Sequence, residues 1–145
     1  MYTIKASDSL FQFSTRKYHD VSVIRDNVRE CLGLPDTMIA ILDIDNEFQQ
    51  ELNESALVYL SITYRTDGFL SFIELGILKY ESMNMPVDKL LLCLNERFND
   101  DIITMIDDET FLMARDSRLL IAEGEIIIND KVELLFIREN SVRDA

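Results

Sequence analysis

The sequence contains few of the residues that break, bend or cross-link a chain. Its 145 residues include four glycines, two prolines and two cysteines, and no tryptophan. This composition excludes collagen-like, disordered and disulfide-rich proteins, and the length predicts a single domain over residues 1–145. Cys31 and Cys93 lie among apolar residues without further ligands at metal spacing. We therefore expect two reduced core thiols in a cytoplasmic protein.

Long apolar runs and histidines are also scarce. No run approaches the roughly 20 residues that span a bilayer, and the N-terminus has no apolar signal segment, so we expect a soluble protein. The single histidine, His19, cannot form a multi-histidine metal site, and a surface or helix-capping role is more common than a catalytic one. The scattered glycines match neither the phosphate-binding loop nor the dinucleotide-binding motif.

Acidic residues exceed basic ones by a wide margin. Asp and Glu number 27 and Lys and Arg 14, which gives a net charge of −13. This charge disfavours direct binding to nucleic acid or to an anionic membrane. It allows two interpretations, a solvated surface or an acidic face for a basic partner. The Asp107-Asp108-Glu109 run is the candidate for such a face.

The apolar pattern predicts alternating helices and strands. A helix begins near Asp20 and ends at Gly33. Short apolar runs predict buried strands, and Leu57–Ile62 is expected to be a central parallel strand covered on both faces. The further expected strands are Tyr2–Ala6, Met38–Leu42, Lys89–Leu94, Leu119–Ala122, Glu125–Ile128 and Val132–Ile137. The further expected helices begin at Asp43 or Asp45, at Leu70 (ending near Glu81) and at Asp100-Asp101. A turn at Asn129-Asp130-Lys131 joins the last two strands.

Together these elements predict a three-layer α/β fold. Its central sheet is mostly parallel and flanked by helices, and the C-terminal β-hairpin lies at its edge. In such folds ligands bind beyond the carboxyl ends of the strands. The loop that follows Leu57–Ile62 is therefore the expected site.

That loop and the predicted helix after it carry the candidate chemistry. Asp67 lies in the loop, and Glu74 is the acid within the apolar segment Phe72-Ile73-Glu74-Leu75-Gly76. Two carboxylates suit glycosyl transfer through a covalent intermediate, one as nucleophile and one as proton donor or acceptor. Each has a structural alternative, a turn or helix cap for Asp67 and a surface salt bridge for Glu74.

The stretch from Ala56 to Glu81 resembles nucleoside 2-deoxyribosyltransferases and the related nucleotide N-glycosidases. The similarity consists of the Ala-Leu-Val-Tyr-Leu strand, a loop with Asp and Gly, and Glu74-Leu75-Gly76. It implies that Glu74 is the nucleophile, that Asp67 handles the nucleobase, and that Tyr64, Arg65 and Gly68 contact the substrate. It also implies a nucleoside or nucleotide substrate, no metal or redox cofactor, and a homodimer or larger homo-oligomer.

Two hypotheses follow. In the first, the chain is an enzyme that cleaves or transfers an N-glycosidic bond. In the second, it is a catalytically degenerate relative that binds a nucleotide-like ligand or, through its acidic surface, another protein. The region Lys5–Ser9, which lacks the family's Gly-Pro loop, and the bulky residues Phe69–Phe72 before Glu74 favour the second.

Overall fold

The structure, a computed structural model, describes residues 3–4, 10–44, 47–48, 56–66, 68–77, 85–105, 110–127 and 131–139. Within these ranges there are two α-helices, α1 (Val21–Leu32) and α2 (Val87–Phe98), and a short 3-10 turn at Asp36–Met38. The strands are β1 (Thr3–Ile4), β2 (Leu10–Thr15), β3 (Ile39–Ile44), β4 (Glu47–Phe48), β5 (Val58–Tyr64), β6 (Ser71–Ile77), β7 (Met85–Pro86), β8 (Ile102–Met105), β9 (Thr110–Arg115), β10 (Arg118–Ile127) and β11 (Lys131–Glu139).

Nine of these strands form one mixed, mostly antiparallel sheet. Their order is β11-β10-β9-β8-β2-β6-β5-β3-β4. The pair of β3 and β5 is parallel, and the other neighbouring pairs are antiparallel. Strands β1 and β7 pair separately in a two-stranded sheet. The prediction of a three-layer fold around a mostly parallel sheet is therefore wrong, although the predicted C-terminal hairpin is present at the sheet edge as β10 and β11.

Both helices cover the same face of this sheet. Ile102, Leu112 and Ala114 belong to the buried cluster that the helices share. Their neighbours Ile103 and Met113 belong to a second buried cluster. Because successive strand residues point to opposite faces, the second cluster lies on the face away from the helices. The described elements therefore form a helical layer on one side of a broad sheet.

Helix α1 agrees with the prediction. Ile24, Val28 and Leu32 are buried at helical spacing and pack toward the sheet. Gly33 ends the helix in the left-handed conformation, at φ 67°, and its N–H donates to the carbonyl oxygen of Glu30. This is the helix ending that glycine favours.

Helix α2 replaces the predicted strand Lys89–Leu94. Its buried residues include Val87, Leu90, Leu91, Leu94 and Phe98, which recur at three- and four-residue intervals. Pro86 precedes the first turn, where a missing N–H does no harm. The strand prediction was wrong because three consecutive leucines fit a buried strand and a buried helix face equally well. After the helix, Asp100 and Asp101 lead into β8 rather than into another helix.

The predicted helix Leu70–Glu81 is also wrong, because Ser71–Ile77 is strand β6, between β2 and β5. Ile73 and Leu75 face the helices and are fully buried, whereas Phe72 and Glu74 alternate with them on the other face. Strand β5 is likewise buried at alternate residues, so it is not covered on both faces as predicted. Asp43 lies in β3, which pairs with β4, rather than at the start of a helix.

The two cysteines form a disulfide that links α1 to α2. Cys31 and Cys93 are 62 residues apart in sequence, and their Cα atoms are 5.8 Å apart. That separation suits a disulfide, and it arises because the two helices pack against each other. The prediction of two reduced thiols is therefore wrong, since distance along the sequence says nothing about helix packing.

Candidate functional site

Four connections meet at one end of the sheet. They are residues 16–20 between β2 and α1, the described residues 65–66 and 68–70 between β5 and β6, 99–101 between α2 and β8, and 116–117 between β9 and β10. The register brings them together, because Thr15 is paired with both Ser71 and Ile102. We call residues 16–20 the β2–α1 loop.

Asp100 anchors the β2–α1 loop through its carboxylate. Its side chain is 2% exposed. One carboxylate oxygen accepts a hydrogen bond from the backbone N–H of Lys17 (2.7 Å) and lies 2.9 Å from Nε2 of His19, while the other accepts from the N–H of Asp101 (2.8 Å). A buried carboxylate with several donors is satisfied and rigid. Asp100 therefore holds the loop against the junction of α2 and β8.

The backbone of the loop is bonded on its other sides as well. The carbonyl oxygen of Lys17 accepts from the hydroxyls of Thr15 (2.8 Å) and Ser71 (3.2 Å). The Arg16 N–H donates to the Asp101 carbonyl oxygen (3.1 Å), and the His19 carbonyl oxygen accepts from the Tyr64 hydroxyl (2.7 Å). The loop thus has several independent attachments to the sheet.

The side chains of Arg16, Lys17 and Tyr18 point away from these attachments. All three residues are exposed, Tyr18 by 56%. The Tyr18 ring lies 4.5 Å from the ring of Tyr64, and the Arg16 guanidinium lies 5.1 Å from the centre of the Phe69 ring. Aromatic and cation–π contacts of this kind orient side chains that stay accessible to a partner.

The His19 side chain is packed into the structure rather than exposed on the surface. Its side chain is 13% exposed, and its ring meets Phe98 edge-on with the ring centres 4.7 Å apart. One ring nitrogen faces Asp100, as described above. Together with Asp100, His19 closes the gap between the loop and α2.

An open cleft of about 390 Å³ lies between the loop and the β9–β10 turn. Lys17, Asp116 and Ser117 are among the residues that line it. Asn95 forms part of its wall, but the amide is already used on both sides, since Nδ2 donates to the Asp100 carbonyl oxygen (2.7 Å) and Oδ1 accepts from the Ser117 N–H (2.9 Å). The cleft is therefore an exposed polar surface rather than the enclosed apolar pocket typical of small-molecule sites.

Asp101 forms an ion pair at the rim of this cleft. Nε and an Nη of Arg115 donate to one of its carboxylate oxygens, over 3.0 and 2.8 Å. This hydrogen bond raises the pKa of Arg115 above its usual range. Within the described part of the chain, no group of His, Cys, Asp and Glu could hold a metal ion.

The structure places Glu74 away from this end. Glu74 lies within β6, opposite Ser61 on one side and Gln12 on the other. It is three residues along the strand from Ser71, a distance of roughly 10 Å. Its carboxylate is half-buried on the face away from the helices and accepts a hydrogen bond from Nε2 of Gln12 (3.1 Å).

The other predicted site residues lie in or beside the β5–β6 connection. The Tyr64 hydroxyl bonds to the loop backbone, and the Arg65 guanidinium lies 4.6 Å from the centre of the Phe72 ring. Gly68 has the left-handed conformation of a turn residue, at φ 75°. Asp67 lies outside the described residues.

Sequence reasoning missed the role of Asp100. The sequence predicts that Asp100-Asp101 begins a helix, because acidic residues favour that position. Nothing in the local sequence shows that Asp100 meets residues 17 and 19, which are more than 80 positions away. Asp100 meets the loop because β2 pairs with β8, and the order of strands in the sheet cannot be deduced from the local sequence.

Among the described residues, no helix is long and apolar enough to cross a lipid bilayer. Comparison of the chain with protein-family models, with curated proteins and with solved structures finds no match.

Proposed function

We propose that this chain is a protein-binding module that docks through its β2–α1 loop. The proposal rests on the contacts between the buried Asp100 carboxylate and this loop. Its backbone is bonded to the sheet, while Arg16, Lys17 and Tyr18 remain exposed. Tyrosine and arginine are enriched among the residues that dominate binding energy at protein interfaces.

Rigidity supports binding for an energetic reason. A flexible loop loses conformational entropy when a partner immobilises it, which weakens association. In the β2–α1 loop this loss is incurred during folding, through the bonds to Asp100, Ser71 and Tyr64. A protein partner would therefore meet a preformed surface with an aromatic ring at its centre.

The charge at this end of the sheet differs from that of the whole chain. Among the described residues of the four connections and their flanking strand positions, basic side chains slightly outnumber acidic ones: Arg16, Lys17, Arg65, Arg115 and Arg118 against Asp20, Asp100, Asp101 and Asp116. The net charge of −13 consequently belongs to the rest of the sequence. A partner with a pocket for Tyr18 and acidic groups beside it would be repelled least at this end.

Substitution of Tyr18 tests the proposal. Proteins captured from source cells by the wild-type chain are compared with those captured by Tyr18→Ala and by Val23→Ala. Val23 is a matched control, because it is exposed by 41% on the neighbouring helix. We expect Tyr18→Ala alone to lose a specific protein. With that protein purified, calorimetric titration should show binding weakened about thirtyfold, the effect of losing roughly 2 kcal/mol. Equal binding by all three chains would contradict the proposal.

Cleavage of an N-glycosidic bond by Glu74 stays a separate prediction. It requires a free carboxylate beside a sugar-binding pocket, whereas this carboxylate is bonded to Gln12 in the middle of the sheet. For that reason the proposed function does not rest on it. Chromatography of nucleosides and nucleotides incubated with the wild-type chain and with Glu74→Gln tests the prediction, since only release of a base that Glu74→Gln abolishes would support it.

A further inference from the structure

The cleft between the β2–α1 loop and the β9–β10 turn has walls of opposite charge. The loop contributes Arg16 and Lys17 to one wall. Glu96 near the end of α2 and Asp116 in the turn belong to the other wall. All four residues are exposed. Positive and negative side chains therefore border the same open space from its two sides.

These four charges are not paired with one another across the cleft. Within the described part of the chain, none of the four side chains takes part in an ion pair. Asp101, at the rim, is by contrast paired with Arg115. Exposed charges decide which partners approach a surface and in which orientation, since opposite charges attract and like charges repel.

Both walls are fixed before a partner arrives. The Asn95 side chain bonds to the Ser117 N–H (2.9 Å) and to the Asp100 carbonyl oxygen (2.7 Å), so it joins the turn to the α2–β8 connection. The Asp100 carboxylate accepts from the Lys17 N–H and joins the loop to the same connection. Asn95 and Asp100 are themselves buried. The width of the cleft is therefore set by folding, which lowers the entropy that binding would cost.

We infer that the cleft receives a segment of the protein partner that carries one acidic and one basic side chain. The acidic side chain meets Arg16 and Lys17, and the basic side chain meets Glu96 and Asp116. This inference rests on the proposed docking through the β2–α1 loop, because Tyr18 directly follows Lys17 and contacts the same partner beside the cleft.

The two signs of charge also exclude other partners. A segment that is only acidic is repelled by Glu96 and Asp116, and one that is only basic is repelled by Arg16 and Lys17. Specificity of this kind comes from repulsion of the wrong partner as much as from attraction of the right one. Because the whole chain carries a net charge of −13, an acidic side chain needs a basic companion to approach it.

Selection of short peptides from a displayed library of random sequences tests the inference. Peptides are selected on the wild-type chain, and the recurring ones are synthesised with a fluorescent label for anisotropy titrations. We expect the recurring peptides to carry an acidic and a basic residue at a constant spacing. Peptides of a single charge sign, or without charge, would overturn the inference.

Charge reversal then locates the binding of the selected peptides. Lys17→Glu and Glu96→Lys should each weaken it about tenfold, because each places like charges together. Replacing the acidic residue of the peptide by lysine should restore binding to Lys17→Glu, and replacing its basic residue by glutamate should restore binding to Glu96→Lys. Lys89→Glu, at an exposed position near the start of α2, is the control for net charge and should bind the original peptide as the wild type does.

The same peptides separate this inference from the proposed function. Peptides that lose affinity for Tyr18→Ala but bind Lys17→Glu and Glu96→Lys as tightly as the wild type would overturn the inference and leave docking through the loop standing. Peptides that depend on Lys17 and Glu96 but not on Tyr18 would support the cleft and contradict the role proposed for Tyr18. A selection that yields no peptide dependent on Lys17 and Glu96 would overturn the inference.

Discussion

Asp100 shows how much of a binding loop can depend on one buried carboxylate. The groups that contact its carboxylate belong to two segments: the β2–α1 loop, at Lys17 and His19, and the connection before β8, at Asp101. Hydrogen bonds to a charged acceptor contribute more than those between neutral groups, about 1.5–3 kcal/mol each. The shape of the loop therefore depends on a residue outside it.

Asp100→Asn should destabilise the fold by about 2 kcal/mol, because an amide of the same shape cannot accept at both oxygen positions and leaves one buried donor facing another. The free energy of unfolding from urea titration measures the loss. Asp116→Asn, an exposed change in the same cleft, is the control and should fall within about 0.5 kcal/mol of wild type. An Asp100→Asn chain as stable as this control would show that the bonds to the loop contribute little.

Single residues were predictable where their role is local. Gly33 marks the end of α1 correctly, because a left-handed helix ending is decided within one turn. For Tyr64 the resemblance implies contact with a substrate, which stays a prediction, while the structure shows its ring beside Tyr18 and its hydroxyl bonded to the loop backbone. Asp100 and His19 were not recognised, because their partnership depends on the positions of β2 and β8.

At the scale of elements, the errors concern short apolar runs. In β6 the apolar residues Ile73 and Leu75 alternate with Phe72, Glu74 and Gly76, a period of two that fits a strand. The prediction of a helix rests instead on the spacing of Phe72, Ile73, Gly76, Ile77 and Tyr80, which also fits one side of a helix. For α2 the error is the reverse, because a strand was predicted and a helix is found. The helical spacing of buried residues becomes visible only when Val87 and Phe98, on either side of the Leu-Leu-Leu run, are included. A longer window would have distinguished the two periods.

The ending of α1 allows a direct test of backbone conformation. Gly33 has φ 67°, and a Cβ added there would meet no atom within 4 Å. Gly33→Ala should therefore lower the free energy of unfolding by about 1 kcal/mol through backbone strain alone, because side chains disfavour the left-handed region.

Gly33→Asn is the matched comparison for this change. Asparagine tolerates the left-handed conformation better than alanine, so its loss should be smaller. Urea unfolding measures these losses as shifts of the midpoint. If the slope of the unfolding free energy against urea concentration stays the same, the shifts reflect stability and not a change in the unfolded state. Equal midpoints for glycine, alanine and asparagine would contradict the assigned helix ending.

At the scale of the whole molecule, the sequence predicted the mixture of helices and strands but not their arrangement. Whether strands run parallel or antiparallel depends on which segments become neighbours in the sheet. Strand β2, for example, lies between β6 and β8, and both of these strands are distant from β2 in the sequence. The position of both helices on one face of the sheet also depends on this strand order. Two helices on one side leave α1 and α2 in contact, and that contact brings the cysteines together.

The disulfide changes the expectation for both stability and surroundings. Reduced thiols supported the expectation of a cytoplasmic location, whereas stable disulfides are typical of oxidising compartments. Closing a loop between residues 62 positions apart restricts the unfolded chain. In the chain-entropy description a loop of that size corresponds to about 4 kcal/mol.

Cys31→Ser/Cys93→Ser and the reduced wild-type chain should both unfold about 4 kcal/mol more easily than the oxidised wild-type chain. The two should resemble each other, because the stabilisation comes from restricting the unfolded state rather than from packing of the sulfurs. Unfolding by urea with and without a thiol reductant measures the difference, and labelling of the native protein with a thiol reagent checks the starting state. Two reactive thiols in protein purified without reductant would show that the link between α1 and α2 does not form. If the double variant lost much more stability than the reduced wild type, the helix contact itself, and not the cross-link, would be the larger contribution at this site.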